Sequence, residues 1–457
     1  MANRSIAGVQ LQGCAALASL AASTIETEEL LFGAIDAVVA AMGAHATSTG
    51  VQEQGCKALV KLAVNDASEA VILRAGGIDA VVEGMRAHRS SAGVQEQGCL
   101  ALSILAGSDE NRTTIMWLRV VEAVVMGMGA HRSIAKVQRE GCGAISIFAL
   151  IDGDRMAIAG AGGVEAVVVG MRAHSSIVGM QMHGCYALAN LARSDGNRTA
   201  ILRAGGIESV VAVMGAHRSS EWVQEQGCFA LRNLAPNDDF RTAIARARGI
   251  EAVVAGMRAH GLNAGLQVQG CCALRNLALN DENRTAIARA GGIEAVVRGM
   301  MAHTPIVEVQ MSGCAALGNI SSNNDENKTL IARAGGIEAV VAGMGMHLSI
   351  AGVQQKGCWA LANLAVEMVN KTAIARAGGI DAVLAGMGAH PAIAGVQQTG
   401  CRALRKLACD DDANITAIAG AGGIAAVLAG MGAHTSVAGV EREGRLALKI
   451  LESRSSD

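Results

Sequence analysis

Apolar side chains fall at helical spacing through most of this chain, and the pattern repeats. In the stretch from Val223 to Ala235, the residues Val223, Gly227, Leu231 and Leu234 share one face, with Cys228 and Ala230 beside them. That spacing predicts a helix with a wide apolar face. The stretch Asp281 to Ala290 predicts a shorter helix: Asp or Asn caps its start, Ile287 points inward, and Gly291-Gly292 ends it. Ile293 to His303 predicts another short apolar helix, whose last turn carries a His suited to the exposed carbonyls and the dipole there. A unit is therefore two short helices and a longer third.

The Gly-Cys pair of the long helix returns every 42 to 44 residues, from Gly13-Cys14 to Gly400-Cys401, and closes at Gly444-Arg445. A column of His keeps step from His45 to His434. Self-similarity at this period is the mark of a solenoid, in which each unit buries its apolar face only against its neighbours. The long third helices are expected to start near residues 9, 51, 94, 137, 180, 223, 266, 309, 353, 396 and 440. Residues 440–457 are expected to cap the C-terminal end, because Arg442, Glu443, Arg445 and Lys449 replace apolar or neutral residues there. No linker or change of composition interrupts the chain, so 1–457 reads as a single repeat domain. At the other end the chain begins inside a unit, and the uncharged helix expected from Leu11 to Ala22 suggests a fragment or an end covered by a partner.

Composition narrows the function. Aromatic residues are 2% of the chain and apolar residues 51%, so the core must be Ala, Val, Ile, Leu and Met. A net charge of −2 gives no general affinity for nucleic acid or an acidic membrane. No signal peptide, lipidation motif or membrane-length apolar run is present, and a soluble cytoplasmic protein, with the nucleus as a second compartment, is expected. Ten of the twelve cysteines occupy one position per repeat. Packed helices are about 8–10 Å apart, too far for disulfides between equivalent positions, so these thiols read as buried and reduced. The periodic His residues lack the convergent partners a metal needs. No catalytic set is brought together by the repeat, so neither an enzyme nor a bound cofactor is expected. The Asn-x-Thr triplets at Asn111, Asn197, Asn283, Asn327, Asn370 and Asn414 read as first-turn capping residues rather than glycosylation sites.

The three-helix unit of about 43 residues resembles the armadillo repeat. The resemblance rests on Ala-Gly-Gly-Ile followed by Glu338 to Val341, then on Val353 to Ala365, and it recurs along almost the whole chain. It implies an all-α, right-handed armadillo-type superhelix of about ten repeats that acts by binding proteins.

The third helix carries the candidate site. Five residues after its Cys stand Asn190, Asn233, Asn276, Asn319 and Asn363 in successive units. One residue after it stand Tyr186, Phe229, Cys272, Ala315 and Trp359. Positions four apart share a helical face, so Tyr186/Asn190, Phe229/Asn233 and Trp359/Asn363 form aromatic–amide pairs. Two residues before the Cys, Gln226 and Gln269 extend the stripe, as does His183. Asn can both donate to and accept from a peptide group, and aromatics can grip side-chain stems. This resembles the Trp-x-x-x-Asn array of nuclear-import adaptors, which implies an extended peptide held by its backbone. Arg232 and Arg275 edge the stripe, and Asp195, Asp238 and Asp281 at helix ends could offset them against a basic peptide. Lys61, Ile104 and Ile147 replace the Asn in earlier units, so the groove is expected to begin with the unit of Asn190. The expected function is thus a scaffold for extended or disordered segments of partner proteins. On this reading, replacing the five Asn by Ala abolishes binding and leaves melting nearly intact. The rival reading is a structural assembly module that self-associates or binds partners through its outer faces or its uncapped N-terminal end, with dimerisation through Val9 to Ala22. Cys272, in the aromatic slot, is the thiol expected to be exposed.

Overall fold

A computed structural model of the protein describes residues 7–20, 28–107 and 117–452. Every regular element among them is helical. They form two compact units, one ending at Leu234 and the other beginning at Ala235.

In the first unit the third helices are Ala7–Leu20, Thr49–Leu62, Ala92–Leu105, Ala135–Phe148, Val178–Leu191 and Glu221–Asn233. In the second they are Ala264–Leu277, Val307–Ser321, Ala351–Leu364, Ala394–Ala408 and Ala438–Glu452. Within each unit every third helix packs on the one before it, which is the solenoid arrangement. Each begins two residues before the expected position, because the chain enters through an extended N-cap ahead of the first apolar residue. Ser91, Ser220 and Asn263 show why: each side chain accepts a hydrogen bond from the N–H three residues on.

The first and second helices of a repeat meet at the Gly-Gly break. Asp325–Arg333 and Gly336–Met346 are bent by 69° there. The first glycine adopts the left-handed conformation, at φ 82° for Gly335 and 75° for Gly291. The second is needed for a different reason. A Cβ on Gly292 would lie 2.6 Å from Cγ2 and 3.0 Å from the carbonyl oxygen of Ile287. Among the described residues Arg248 alone fills the left-handed position of this break with a side chain, at φ 65°. In the first repeat, which lacks the Gly-Gly pair, Glu28–Ala44 is one continuous helix.

The Gly-Cys marker is explained by packing. On Gly270, a Cβ would sit 2.5 Å from Cγ and 2.6 Å from Sδ of Met257, on the second helix of the same repeat. Gly98 meets Met85 and Gly141 meets Met128 with the same separations. A column of methionines thus presses on a column of glycines, while the adjoining cysteines, Cys271 among them, are fully buried. None of the cysteines is disulfide-bonded, and burial pushes the Cys314 and Cys358 thiols up to about 12. Among the described residues no single helix is long and apolar enough to cross a membrane.

Candidate peptide-binding face of the third helices

Three polar columns hold the repeats together, and they decide which side chains remain for a ligand. The first is a buried glutamine directly after the opening Val or Leu of most third helices. Gln310 Nε2 donates to the carbonyls of Met300 (2.8 Å) and His303 (3.0 Å), satisfying the end of the second helix. The second column is the periodic His. Its side chain does not serve its own helix end, as the sequence suggested, but reaches the preceding repeat. Nε2 of His131 lies 2.8 Å from the Arg89 carbonyl, and Nε2 of His303 lies 2.8 Å from that of Gly261.

The third column consists of the Asn-x-Thr asparagines. They lie in the first turn of the first helix, but the cap is the residue three before. Asn280 Oδ1 accepts from the Asn283 N–H, and Asn324 Oδ1 from the Asn327 N–H. The side chain of Asn327 is itself buried and donates to the Arg284 and Ile320 carbonyls at 3.1 and 3.0 Å. Burial of this kind at Asn197, Asn283, Asn327, Asn370 and Asn414 leaves no room for a glycan in this fold. Asn111 lies outside the described residues.

The candidate asparagines of the third helices share this stapling habit. Nδ2 of Asn190 donates to the Ser146 carbonyl (3.0 Å), and that of Asn233 to Ala189 (2.9 Å). Asn319 donates to Arg275 (2.7 Å), and Asn363 to Gly318 (3.0 Å) and to Ser322 Oγ (3.2 Å). Each acceptor belongs to the previous repeat, so the amide nitrogen is engaged by the chain itself. Asn276 Oδ1 accepts from Nε and Nη2 of Arg275. Asn190 is only 1% exposed, whereas Asn233, Asn276, Asn319 and Asn363 are half-buried. The expected donor-and-acceptor role is corrected on this point: Asn190 is buried, and what Asn233 and Asn319 can offer outward is the carbonyl oxygen. The five-alanine test is corrected with it, since the substitutions at Asn190, Asn233, Asn319 and Asn363 would each cut a tie between adjacent third helices and lower the melting temperature.

Tyr186, Phe229 and Trp359 are all half-buried. The rings of Tyr186 and Phe229, on adjacent third helices, are 6.3 Å apart and tilted by 35°. The Arg232 guanidinium stands 6.0 Å from the Phe229 centroid, so the cation occupies the stripe. The carboxylates expected to offset it are engaged elsewhere. Asp195 pairs with Arg198, Asp238 with Arg241 (3.0 Å) and Asp281 with Arg284 (2.7 Å). Gln226 Oε1 is buried and has no hydrogen-bond partner among the described residues, and Gln269 is half-buried. His183 is half-buried as well; burial pushes its imidazole below the usual range, Glu140 acts upward and Arg139 downward. Cys272 is 6% exposed, which corrects the expectation of an accessible thiol in the aromatic slot. Cys409 is the half-exposed cysteine instead.

In the second unit the stripe opens into a pocket of about 380 Å³ bounded by Trp359, Asn363, Ser322, Lys328, Arg402 and Lys406. Trp359 lies so close to Gly318 that a Cβ there would come 2.5 Å from ring atom Cε3. A mid-helix glycine costs about 1 kcal/mol relative to alanine, and here its missing side chain seats the indole. Arg402 Nη2 donates to Asn363 Oδ1 at 3.2 Å.

The family model described as LRRK2 ARM repeat matches residues 167–456. The chain belongs to this armadillo-repeat family. A crystal structure of an engineered protein aligns with 92% of the armadillo chain and 99% of its own, at 29% identity and a TM-score of 0.78. A second structure, from work on a phosphorylation switch controlling the interaction between cadherin and β-catenin, aligns with 97% of this chain and 99% of its own. Its TM-score of 0.61 at 14% identity establishes likeness of fold. No curated protein sequence matches the chain. Armadillo solenoids are in general non-catalytic scaffolds for protein interaction, and among the described residues no group of His, Cys, Asp or Glu could hold a metal ion.

Arg402 and Lys406 were missed in the sequence although the signal was there. Counting one armadillo repeat beyond Trp359 and Asn363 puts Arg402 at the aromatic position and Lys406 at the asparagine position.

Proposed function

We propose that the chain is a scaffold that holds extended segments of partner proteins along the half-buried edge of the third helices within each of its units. The observation that carries this reading is the recurrence of aromatic and carboxamide side chains at two fixed positions of successive helices. Tyr186, Phe229 and Trp359 supply slots for partner side chains. Oδ1 of Asn233 and Asn319 accepts partner backbone N–H groups, oriented by the staple that each Nδ2 makes to the previous repeat. Such pre-organisation lowers the ordering cost of binding. The β-catenin neighbour, whose interaction partner is cadherin, supports a protein rather than a small molecule as the ligand.

The test is selection from a random-peptide display library on the full chain and on Tyr186→Ser/Phe229→Ser/Trp359→Ser. These substitutions leave the asparagine staples in place. A motif enriched on the native chain and lost on the variant supports the reading. A motif enriched equally on both places the binding surface elsewhere.

A further inference from the structure

We infer that the pocket of Trp359 and Asn363 takes an acidic side chain, a carboxylate or a phosphoryl group, from an extended peptide. The inference rests on the scaffold reading and sets the polarity of the ligand, opposite to the basic peptide that the import-adaptor pattern implies.

Charge complementarity carries it. Three cations face the pocket and no acidic residue lines it. Lys328 is neutralised by Asp325 at 2.6 Å. Arg402 and Lys406, four apart on one helical face, form no ion pair among the described residues. The bond that Arg402 makes, to Asn363 Oδ1, is to a neutral oxygen. A guanidinium has five N–H donors in a planar fork, so most of this one remains for a bidentate anion. Lys406 makes no hydrogen bond among the described residues. Half-buried cations without a counter-charge are unfavourable, and an anionic side chain removes that penalty.

The pocket is also rigid where it matters. The Gly318 carbonyl accepts from Ser321 Oγ (3.0 Å), Ser322 Oγ (2.9 Å) and Asn363 Nδ2 (3.0 Å). This holds the Asn363 amide, whose oxygen in turn aims Arg402. Trp359, fixed against Gly318, offers a flat wall for the methylene stem of the incoming residue. A backbone-tracking polyanion would want a longer basic row than two residues, which favours a peptide over a nucleic acid.

The experiment uses the full chain, with Arg402→Gln/Lys406→Gln as the altered protein and circular dichroism to verify its fold. Two dodecapeptide display libraries are selected in parallel, one rich in Asp and Glu, the other in Lys and Arg. The best acidic peptide is then synthesised with Glu, phosphoserine or Gln at its most selected acidic position and measured by fluorescence anisotropy. The expected result is enrichment from the acidic library, with binding weakened about tenfold or more both by the double substitution and by Gln in the peptide. Arg402→Lys, which keeps the charge, should recover part of the affinity of Arg402→Gln. The tighter of the Glu and phosphoserine peptides identifies the source of the anion. Enrichment from the basic library alone, or an acidic peptide indifferent to the double substitution, overturns the inference and leaves the scaffold standing. Enrichment from neither library overturns both, as would tight binding of a single-stranded decanucleotide through the same two residues without any peptide.

Discussion

Replacing glycine by alanine should change stability in opposite directions at two sites of one repeat. Gly345 lies on the second helix, Gly336–Met346, and a Cβ there would meet nothing within 4 Å. Gly357 lies on the third helix, Ala351–Leu364, and a Cβ there would come 2.5 Å from Sδ of Met344, which is 1% exposed. Alanine is favoured over glycine in a helix by about 1 kcal/mol, somewhat less near an end. Gly345→Ala should therefore stabilise by up to about 1 kcal/mol. At Gly357 the same gain is set against overpacking of a buried side chain near its root, which costs about 1–3 kcal/mol. Gly357→Ala should be destabilising, by up to about 2 kcal/mol net. Repeat arrays do not always unfold in one step, so the urea midpoint is best read with native-state hydrogen exchange in residues 351–364. If Gly357→Ala raises the midpoint as much as Gly345→Ala does, the Gly-Cys marker has some other cause.

Three further expectations follow from single observations. Arg248 is held at φ 65° where other repeats have glycine, and its exposed contact to Glu251 at 3.7 Å adds little, so Arg248→Gly should stabilise by about 1 kcal/mol in denaturant unfolding. A disulfide reagent at neutral pH should modify one thiol of twelve in the native protein, Cys409, and all twelve after denaturation; a labelled Cys272 would contradict its burial. Gln310→Leu removes the shorter of two side-chain bonds to the Met300 carbonyl, leaving Thr304 Oγ1 at 3.4 Å, and weakens the hold on that of His303, which should cost about 1–2 kcal/mol and speed exchange at the end of the second helix; unaltered melting would show the glutamine column to be dispensable.

The helices, their order and their period were legible in the sequence because each depends on local spacing. The lateral ties were not. Asn319 advertises a donor and an acceptor, but its partner is the Arg275 carbonyl, 44 residues earlier, and the period of a repeat does not reveal the offset between neighbouring helices. The same holds for His131, whose partner is a carbonyl of the previous repeat rather than one in its own helix. The reason for the Gly-Cys pair was half visible: methionines at Met257, Met300 and Met344 keep the same period, yet only their packing links them to Gly270, Gly313 and Gly357. Arg402 and Lys406 were hidden by stopping the count at the last asparagine.

The reach of the His and Asn side chains has a consequence for how such a gene can change. His131 contacts a carbonyl 42 residues back and Asn363 one 45 residues back, and both acceptors are backbone atoms present whatever the residue. A tandem duplication of one whole period would thus arrive with its donors already opposite suitable acceptors, needing no compensating substitution in either copy. An insertion of a few residues between two third helices would spoil the register on both sides at once. Length in this lineage should vary in whole copies, with point differences accumulating at exposed positions that make no bond between copies.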